Sequence, residues 1–397
     1  MLNGIRTVAA IATVSLVAAA AAEAAVVQSK SGAVNVQSLA KLDNPWGMTF
    51  LPDGRLLITE KPGRLRIFAD GKLSEPIAGV PKVAYKGQGG LLDVEIDPDF
   101  ATNKLVYLSY SEPAEEQPPG AHDEIDHRLG ANFRADDPQL KGGAVARGRL
   151  EGDHLADLKV IWRQVPKTIG RGHFGGRLVF GPDGKLYITS GERQRFEPAQ
   201  DLGTNLGKIV RINPDGSFPN DNPFVNQSGA RPDVWTYGHR NPLGAVINPT
   251  THELWINEMG PKGGDEVNVI EKGKNYGWPV VSDGNNYDDS PIPRHNTHPE
   301  FDPPVRSWNP VISPSGMIFY TGSMFPQWKG NVLIGGLSSK AVIRLTLDGN
   351  KVTDEDRLNM GFRVRDVEQA PDGAVLLLSD GNNGELLRLT PDEKSGR

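Results

Sequence analysis

A short string recurs six times along this chain: a turn rich in Pro, Asp, Asn, Ser or Gly, followed by a run of β-branched, leucine or aromatic residues. Leu51-Pro52-Asp53-Gly54 precedes Arg55 to Thr59, Asp97-Pro98-Asp99-Phe100 precedes Lys104 to Ser109, and Gly181-Pro182-Asp183-Gly184 precedes Lys185 to Thr189. Asn248-Pro249 precedes Glu253 to Ile256, Ser313-Pro314-Ser315-Gly316 precedes Met317 to Tyr320, and Ala370-Pro371-Asp372-Gly373 precedes Ala374 to Leu378. Side chains that set turn dihedrals, followed by side chains that fit a pleat, define turn–strand units. Second runs such as Arg64 to Phe68, Lys208 to Ile212 and Leu386 to Leu389 give the units further strands. With 46 Gly and 31 Pro scattered over 397 residues, tight turns occur throughout, and helical periodicity is scarce beyond the amino terminus. Units of about sixty residues predict an all-β fold, a six-bladed β-propeller with long interblade loops. A pair of large β-sandwiches is the competing fold, but it has no need of evenly spaced turns.

Residues 1–24 carry the pattern of a secretory signal peptide. Arg6 gives a positive start, Thr7 to Ala22 is apolar, and Ala22-Glu23-Ala24 is a small-x-small cleavage site. Residues 25–397 are then one propeller domain, expected in the periplasm with no membrane span. Cysteine is absent, so the core holds without disulfides. The formal charge of −6 argues against a nucleic-acid or anionic-membrane surface and leaves small molecules or soluble proteins as partners. Residues 111–143, with Glu115-Glu116, Pro118-Pro119 and several Asp, break the repeat. They form a loop insertion that either shapes the mouth of a site or is a solvated excursion.

Chemistry concentrates between Gly238 and Pro279. Arg240 and Asn241 put a fixed cation and an amide beside Pro242, while Glu258-Met259-Gly260-Pro261, Asp265-Glu266 and Tyr276 bring carbonyl and carboxylate oxygens. Oxygen-only ligation suits calcium, and an adjacent arginine suits an anion bound with it. His173 lies in a glycine-rich stretch, Gly170 to Gly176, that formally fits G-x-G-x-x-G. It opens into a strand rather than a helix, so it is not a dinucleotide site. Its histidine is either structural or a general base. Arg363 and Arg365 fall on one side of a strand, with Lys340 earlier. They embrace an anion, or they are a solvated edge partnered by Asp366, Glu368 or Glu385. Gln88, in Gly87-Gln88-Gly89-Gly90, means little alone. No Gly-x-Ser-x-Gly elbow, Walker loop, zincin motif or EF-hand loop is present.

Taken in order, Gly87 to Leu92, His173 ahead of Gly176-Arg177-Leu178, Gly238 to Pro242, Glu258 to Pro261, Asp265-Glu266, Asn275 to Pro279 and Arg363 to Asp366 resemble the soluble quinoprotein glucose/sorbosone dehydrogenase family. Within it the chain is most similar to bacterial aldose sugar dehydrogenases, over nearly all of the mature sequence. The resemblance implies a six-bladed propeller that binds pyrroloquinoline quinone (PQQ) and calcium and oxidises aldoses at the anomeric carbon. His173 would take the proton of the C1 hydroxyl while hydride passes to quinone C5, giving the lactone. Arg240, with calcium, would stabilise the oxyanion on the quinone. Gln88, Asn241, Tyr287, Lys340, Arg363 and Arg365 match cofactor contacts, the last three meeting the three PQQ carboxylates. Gly260 and Pro261 match carbonyl ligands of the active-site calcium, and Glu266 and Tyr276 a second calcium position. An external electron acceptor is implied, with a monomer or homodimer as the assembly. Gly172 stands where some glucose-oxidising relatives have an acidic residue, so another group must orient the His173 ring. A calcium-dependent propeller lactonase or hydrolase, and a propeller that only binds, stay open as alternatives.

Overall fold

In the computed structural model, which describes residues 25–392 apart from 121, 123, 124, 132, 134 and 135, the turn–strand units become blades. The expected signal peptide lies outside the described residues. Each of six antiparallel sheets contributes one strand to an inner ring: Pro45–Phe50, Leu91–Ile96, Gly175–Phe180, Pro242–Ile247, Pro314–Phe319 and Val364–Gln369. Each touches the next, and the last touches the first. The sixth blade closes the ring by recruiting the amino-terminal strands Gly32–Leu42 and Ala25–Ser29, with Gly32–Leu42 pairing along Gly384–Pro391. Sheets alone fill the blades because helix-forming stretches are lacking; the one α-helix among the described residues is Phe100–Asn103.

The repeated turns work as expected in three blades with one geometry. Gly54, Gly184 and Gly373 have φ of 87°, 69° and 88°, and each amide donates to the carbonyl three residues earlier at 2.8–3.0 Å. That left-handed conformation is the reason for glycine there. The fifth unit is out of phase. Pro314, read as part of a turn, begins the innermost strand itself, and that blade's turn is the longer connection 320–331, stabilised by aromatic packing instead of a Pro-Asp-Gly string. The insertion is also shorter than its expected 111–143. Leu105–Pro113 and Lys141–Glu151 pair through Ser111↔Gly143 to Pro113↔Lys141, so the loop proper runs from 114 to 140. Glycine pairs and a proline hid these strand ends.

All six inner strands carry a register shift close to their first residue. A bulge bends and re-aims the strand it interrupts. Strand starts on the inner ring and strand ends one position outward therefore meet at a single mouth of the axis, while hydrophobic clusters fill the space between blades. Below this mouth Arg177 plugs the axis, bonding Asp93 at 2.9 Å and Asp366 at 3.1 Å with its guanidinium stacked on Trp46 at 4.4 Å.

Candidate active site

The site begins with His173, whose φ of 50° turns the chain just before the third blade's inner strand. Its N–H donates to Gln88 Oε1 at 2.8 Å, and Gln88 is itself fixed by donating its N–H to the Arg171 carbonyl at 2.8 Å. The imidazole Nδ1 bonds Glu192 Oε1, while the other Glu192 oxygen accepts the backbone N–H groups of Arg195 and Phe196. Glu192 is the orienting group the sequence did not disclose. It follows the strand Leu186–Ser190 and reaches His173 across the sheet, nineteen residues away.

Gly172 now has a physical reason. A Cβ there would lie 2.6 Å from the Gln194 amide, so a side chain at 172 would push the Gln194 amide from the position it holds here.

Burial pushes the His173 pKa below its ordinary value, Arg240 adds to that, and Glu192 opposes both. Burial would raise the Glu192 pKa, but His173 and Arg240 outweigh it and hold the carboxylate low. The pair is therefore a neutral imidazole on an ionised carboxylate near neutral pH, a poised base. Its Nε2 makes no hydrogen bond among the described residues.

One blade on, His239 and Glu258 repeat the arrangement at 3.0 Å. There Nε2 is satisfied by Thr236 Oγ1 at 2.9 Å and the ring stacks on Tyr276 at 4.8 Å. His239 is packed and hydrogen-bonded through both ring nitrogens, and His173 keeps the free nitrogen.

Arg240 is buried beside this pair. Its Nη1 donates to the Met259 carbonyl at 3.0 Å and the Gly260 carbonyl at 2.7 Å, and Nη2 approaches the Tyr287 hydroxyl at 3.5 Å. Nε has no partner. Asn241 accepts the Gly175 N–H at 3.2 Å through Oδ1, bracing the strand that follows His173.

Beside these groups lies a cavity of about 540 Å³, within the ordinary size of a ligand pocket, which is lined by the chain neighbours of His173, Gly172 and Phe174, and by Gln88, Trp46, Arg363 and Arg365. Arg363 and Arg365 flank Asp380 at 2.8 Å and 2.7 Å. Neither is partnered by Asp366, Glu368 or Glu385. Asp366 faces the axis on Arg177, Glu368 lines the opposite end of the channel, and Glu385 pairs with Lys41. Burial would raise the Asp380 pKa, but the two arginines bring it down to about 2.

Lys61, which the sequence did not single out, joins the rim. Burial first and Arg365 second pull its pKa down to about 8, against the pull of Asp380. Arg171 adds a further cation to the lining. Lys340 stands apart: its side chain is exposed, and Leu337, three residues earlier, lines the cavity instead.

Behind Arg240 a cavity of about 10 Å³ is lined by Gly260, Glu266 and Tyr276, with Pro261 buried nearby. Burial, then Glu258, Asp283 and Asp265, hold Glu266 well above the usual carboxylate range. The Tyr276 phenol is consumed, donating to the Val269 carbonyl at 2.6 Å and accepting the Glu271 N–H at 2.9 Å. Only its carbonyl is left as a donor oxygen, 3.3 Å from His295 Nε2.

The insertion closes one side of the mouth. Phe133 lines the main cavity, Arg128 stacks on Phe196 at 3.9 Å and pairs with Glu197, and the Tyr287 N–H donates to the Arg128 carbonyl at 3.0 Å. The reading of this loop as a shaper of the mouth therefore holds over that of a solvated excursion.

A six-bladed propeller with a carboxylate-oriented imidazole at the axial mouth, next to a cavity rimmed by cations, is the class that fold and site define. The family model for Glucose / Sorbosone dehydrogenase matches residues 42–388, and the chain belongs to that family. Aldose sugar dehydrogenase YliI of Escherichia coli (strain K12) is 44% identical over 367 residues, covering 90% of this chain and 93% of its own. The crystal structure of the soluble aldose sugar dehydrogenase from Escherichia coli in the apo-form superposes with a TM-score of 0.80 at 42% identity, over 90% of this chain and 100% of that one. The PQQ-bound form of an aldose sugar dehydrogenase from Streptomyces coelicolor gives 0.70 at 27% identity, over 90% and 98%.

Proposed function

We propose that this protein is a PQQ-dependent aldose dehydrogenase that oxidises the anomeric C1 hydroxyl to the lactone, with His173 as the base. The observation that carries the reading is the Glu192-held imidazole, its Nε2 unengaged, beside a cavity with cations on its rim. A quinone with three carboxylates fits that rim. Lys61, Arg171, Arg363 and Arg365 outnumber Asp380 among the lining charges, an excess of positive charge that suits a bound anion. When bound, PQQ supplies the two-electron acceptor that takes hydride from C1. His173 Nε2 takes the hydroxyl proton, and Glu192 stabilises the imidazolium so formed. Arg240 presents fixed positive charge where negative charge develops, held in place by the Met259 and Gly260 carbonyls. Gln88 and Asn241 hold the backbone on either side of the base, and Tyr287 stands at the mouth next to Arg240. Lys340, exposed and outside the cavity lining, would meet that anion only by reaching in from solvent.

Calcium fits the carbonyl and carboxylate oxygens here. Gly260 and Pro261 would hold the ion at the cofactor, and Glu266 with the Tyr276 carbonyl would form a second position. A buried carboxylate surrounded by other acids, as Glu266 is, calls for a counter-cation. Export to the periplasm, an external electron acceptor, and a monomeric or homodimeric state complete the proposal.

The test is dye-linked oxidation of a panel of aldoses by chelator-treated protein, with PQQ and calcium added separately and together. Turnover that requires both is expected. Folded protein that oxidises no aldose under any combination would overturn the reading.

A further inference from the structure

We propose that Arg193 is a positioning residue for the base: its guanidinium holds the loop that presents His173 and ties that loop to the end of the insertion. This rests on the aldose dehydrogenase reading and deepens it. The loop ahead of the third blade has little of its own to hold it, since Gly170 and Gly172 offer no side chains and His173 sits at φ 50°. Arg193 supplies partners from the far side of the sheet. Its Nη2 donates to the Gly170 carbonyl at 2.7 Å and its Nε to the Gly172 carbonyl at 2.9 Å, while its backbone N–H donates to the His173 carbonyl at 3.2 Å. The guanidinium also lies over the Phe174 ring at 3.8 Å. One residue thereby reaches His173 and both of its chain neighbours. A planar fork with donors in fixed directions can do this, whereas a lysine ammonium is a point charge on a flexible stem.

The remaining arm, Nη1, donates to the Lys141 carbonyl at 2.9 Å. Lys141 is where the insertion rejoins its strand, and it is anchored in turn: its backbone exchanges hydrogen bonds with Thr168 at 2.9 and 3.1 Å, and its ammonium pairs with Asp137. The base is thus braced against the insertion that closes one side of the mouth. Adjacent residues divide the task, Glu192 fixing the ring and Arg193 the backbone from which the ring projects. Two costs fall on Arg193 for this. It is charged yet only 1% exposed, and its φ of 61° lies in the left-handed region that side-chain-bearing residues avoid. Such features persist where the surroundings over-determine them, and they gather at functional sites.

The charge of Arg193 has a separable effect. After burial, Arg240 from the fourth blade and then Arg193 disfavour protonation of His173, and Glu192 favours it. The other cations around the cavity have partners of their own: Arg171 has Asp136, Lys61 the Gly87 carbonyl, and Arg363 and Arg365 have Asp380. Removing the charge at 193 therefore raises the His173 pKa and moves the acid limb of kcat to higher pH, the reverse of what loss of Glu192 would do.

The holoenzyme and its Arg193→Met and Arg193→Lys variants are assayed with glucose as a function of pH. In Arg193→Met the kcat plateau should fall roughly tenfold or more, as misplacement of a reacting group does, with the glucose KM little changed and the acid limb moved to higher pH. Arg193→Lys keeps the charge without the fork, so it should lose as much of the plateau and leave the limb where the parent has it. An Arg193→Met limb at the parent's pH, or an Arg193→Lys plateau equal to the parent's, overturns the positioning role and leaves the dehydrogenase intact. Should Arg193→Met fail to fold, the Arg193→Lys plateau decides. No turnover of any aldose by the parent overturns both.

Discussion

At His173 the protein sets the strength of a base from two directions. Burial and Arg240 favour the neutral ring, and Glu192 favours the proton once it arrives. Because the folded pKa lies below the ordinary 6.5, the base is neutral across the physiological range, and the rate should fall only on the acid side, below that value. Glu192→Gln removes the group that opposes burial, so the acid limb of kcat should move to lower pH. The plateau should drop by roughly 10- to 100-fold, as losses of an orienting partner do. An unshifted limb with an unchanged plateau would sink the role given to Glu192. Arg365→Ala should act on binding instead. Quenching of intrinsic fluorescence by PQQ should report an affinity loss of roughly tenfold or more, with the sugar KM little changed. His173 was visible in sequence because glycines frame it. Glu192 was not, since its partnership depends on a strand crossing that brings together residues nineteen apart. Lys61 was hidden likewise, in a different blade from Arg363 and Arg365.

At the scale of the element, five of the six turn strings fall between an inner strand and its neighbour, because Pro, Asp and Gly specify a tight turn through local dihedrals alone. The fifth blade escaped that logic because its turn is held by packing. Phe325 and Trp328 stack at 3.9 Å and 5°, Trp328 is 1% exposed, and its Nε1 donates to Ser31 Oγ at 2.7 Å. The longer turn thereby ties the fifth blade to the amino-terminal segment that closes the sixth. Trp328→Ala should cost about 3–5 kcal/mol, as large-to-small changes at buried aromatics do. The loss should also loosen the closure, giving faster amide exchange along Gly32–Leu42 as well as in the fifth blade. Exchange confined to 320–331 would show that the turn does not support the closing strand. The insertion was legible as a break in the repeat but not in its extent, since Lys141-Gly142-Gly143 and Pro113 pair as strand against their own propensities.

For the whole molecule, the axis joins two unlike mouths. Cations rim the first; the second, a cavity of about 330 Å³ beyond the Arg177 plug, is lined by Glu95 from the second blade and Glu368 from the sixth. Burial raises each to about 8, and Glu95 further disfavours ionisation of Glu368. In the unfolded chain both lose their protons near 4.5. Between 4.5 and 8 the folded state thus binds protons that the unfolded state does not, so these groups make stability fall as pH rises, levelling off above 8. Other buried groups tilt the curve in the opposite sense: His173 below 6.5, and Lys208, pulled down to about 7 by burial, above that value. The single curve is therefore a poor witness, and the difference between a variant and the parent is the better one. Glu95→Gln and Glu368→Gln should melt with the parent near pH 4.5. Each should gain on it steadily toward pH 8, reaching on the order of 1 kcal/mol or more, since a tenfold change in proton affinity between the folded and unfolded chain corresponds to about 1.4 kcal/mol. A difference independent of pH would mean that the far mouth admits enough water for both carboxylates to stay ionised. The ring would then be held by its interblade cores and the Arg177 plug, without the proton-bearing glutamates.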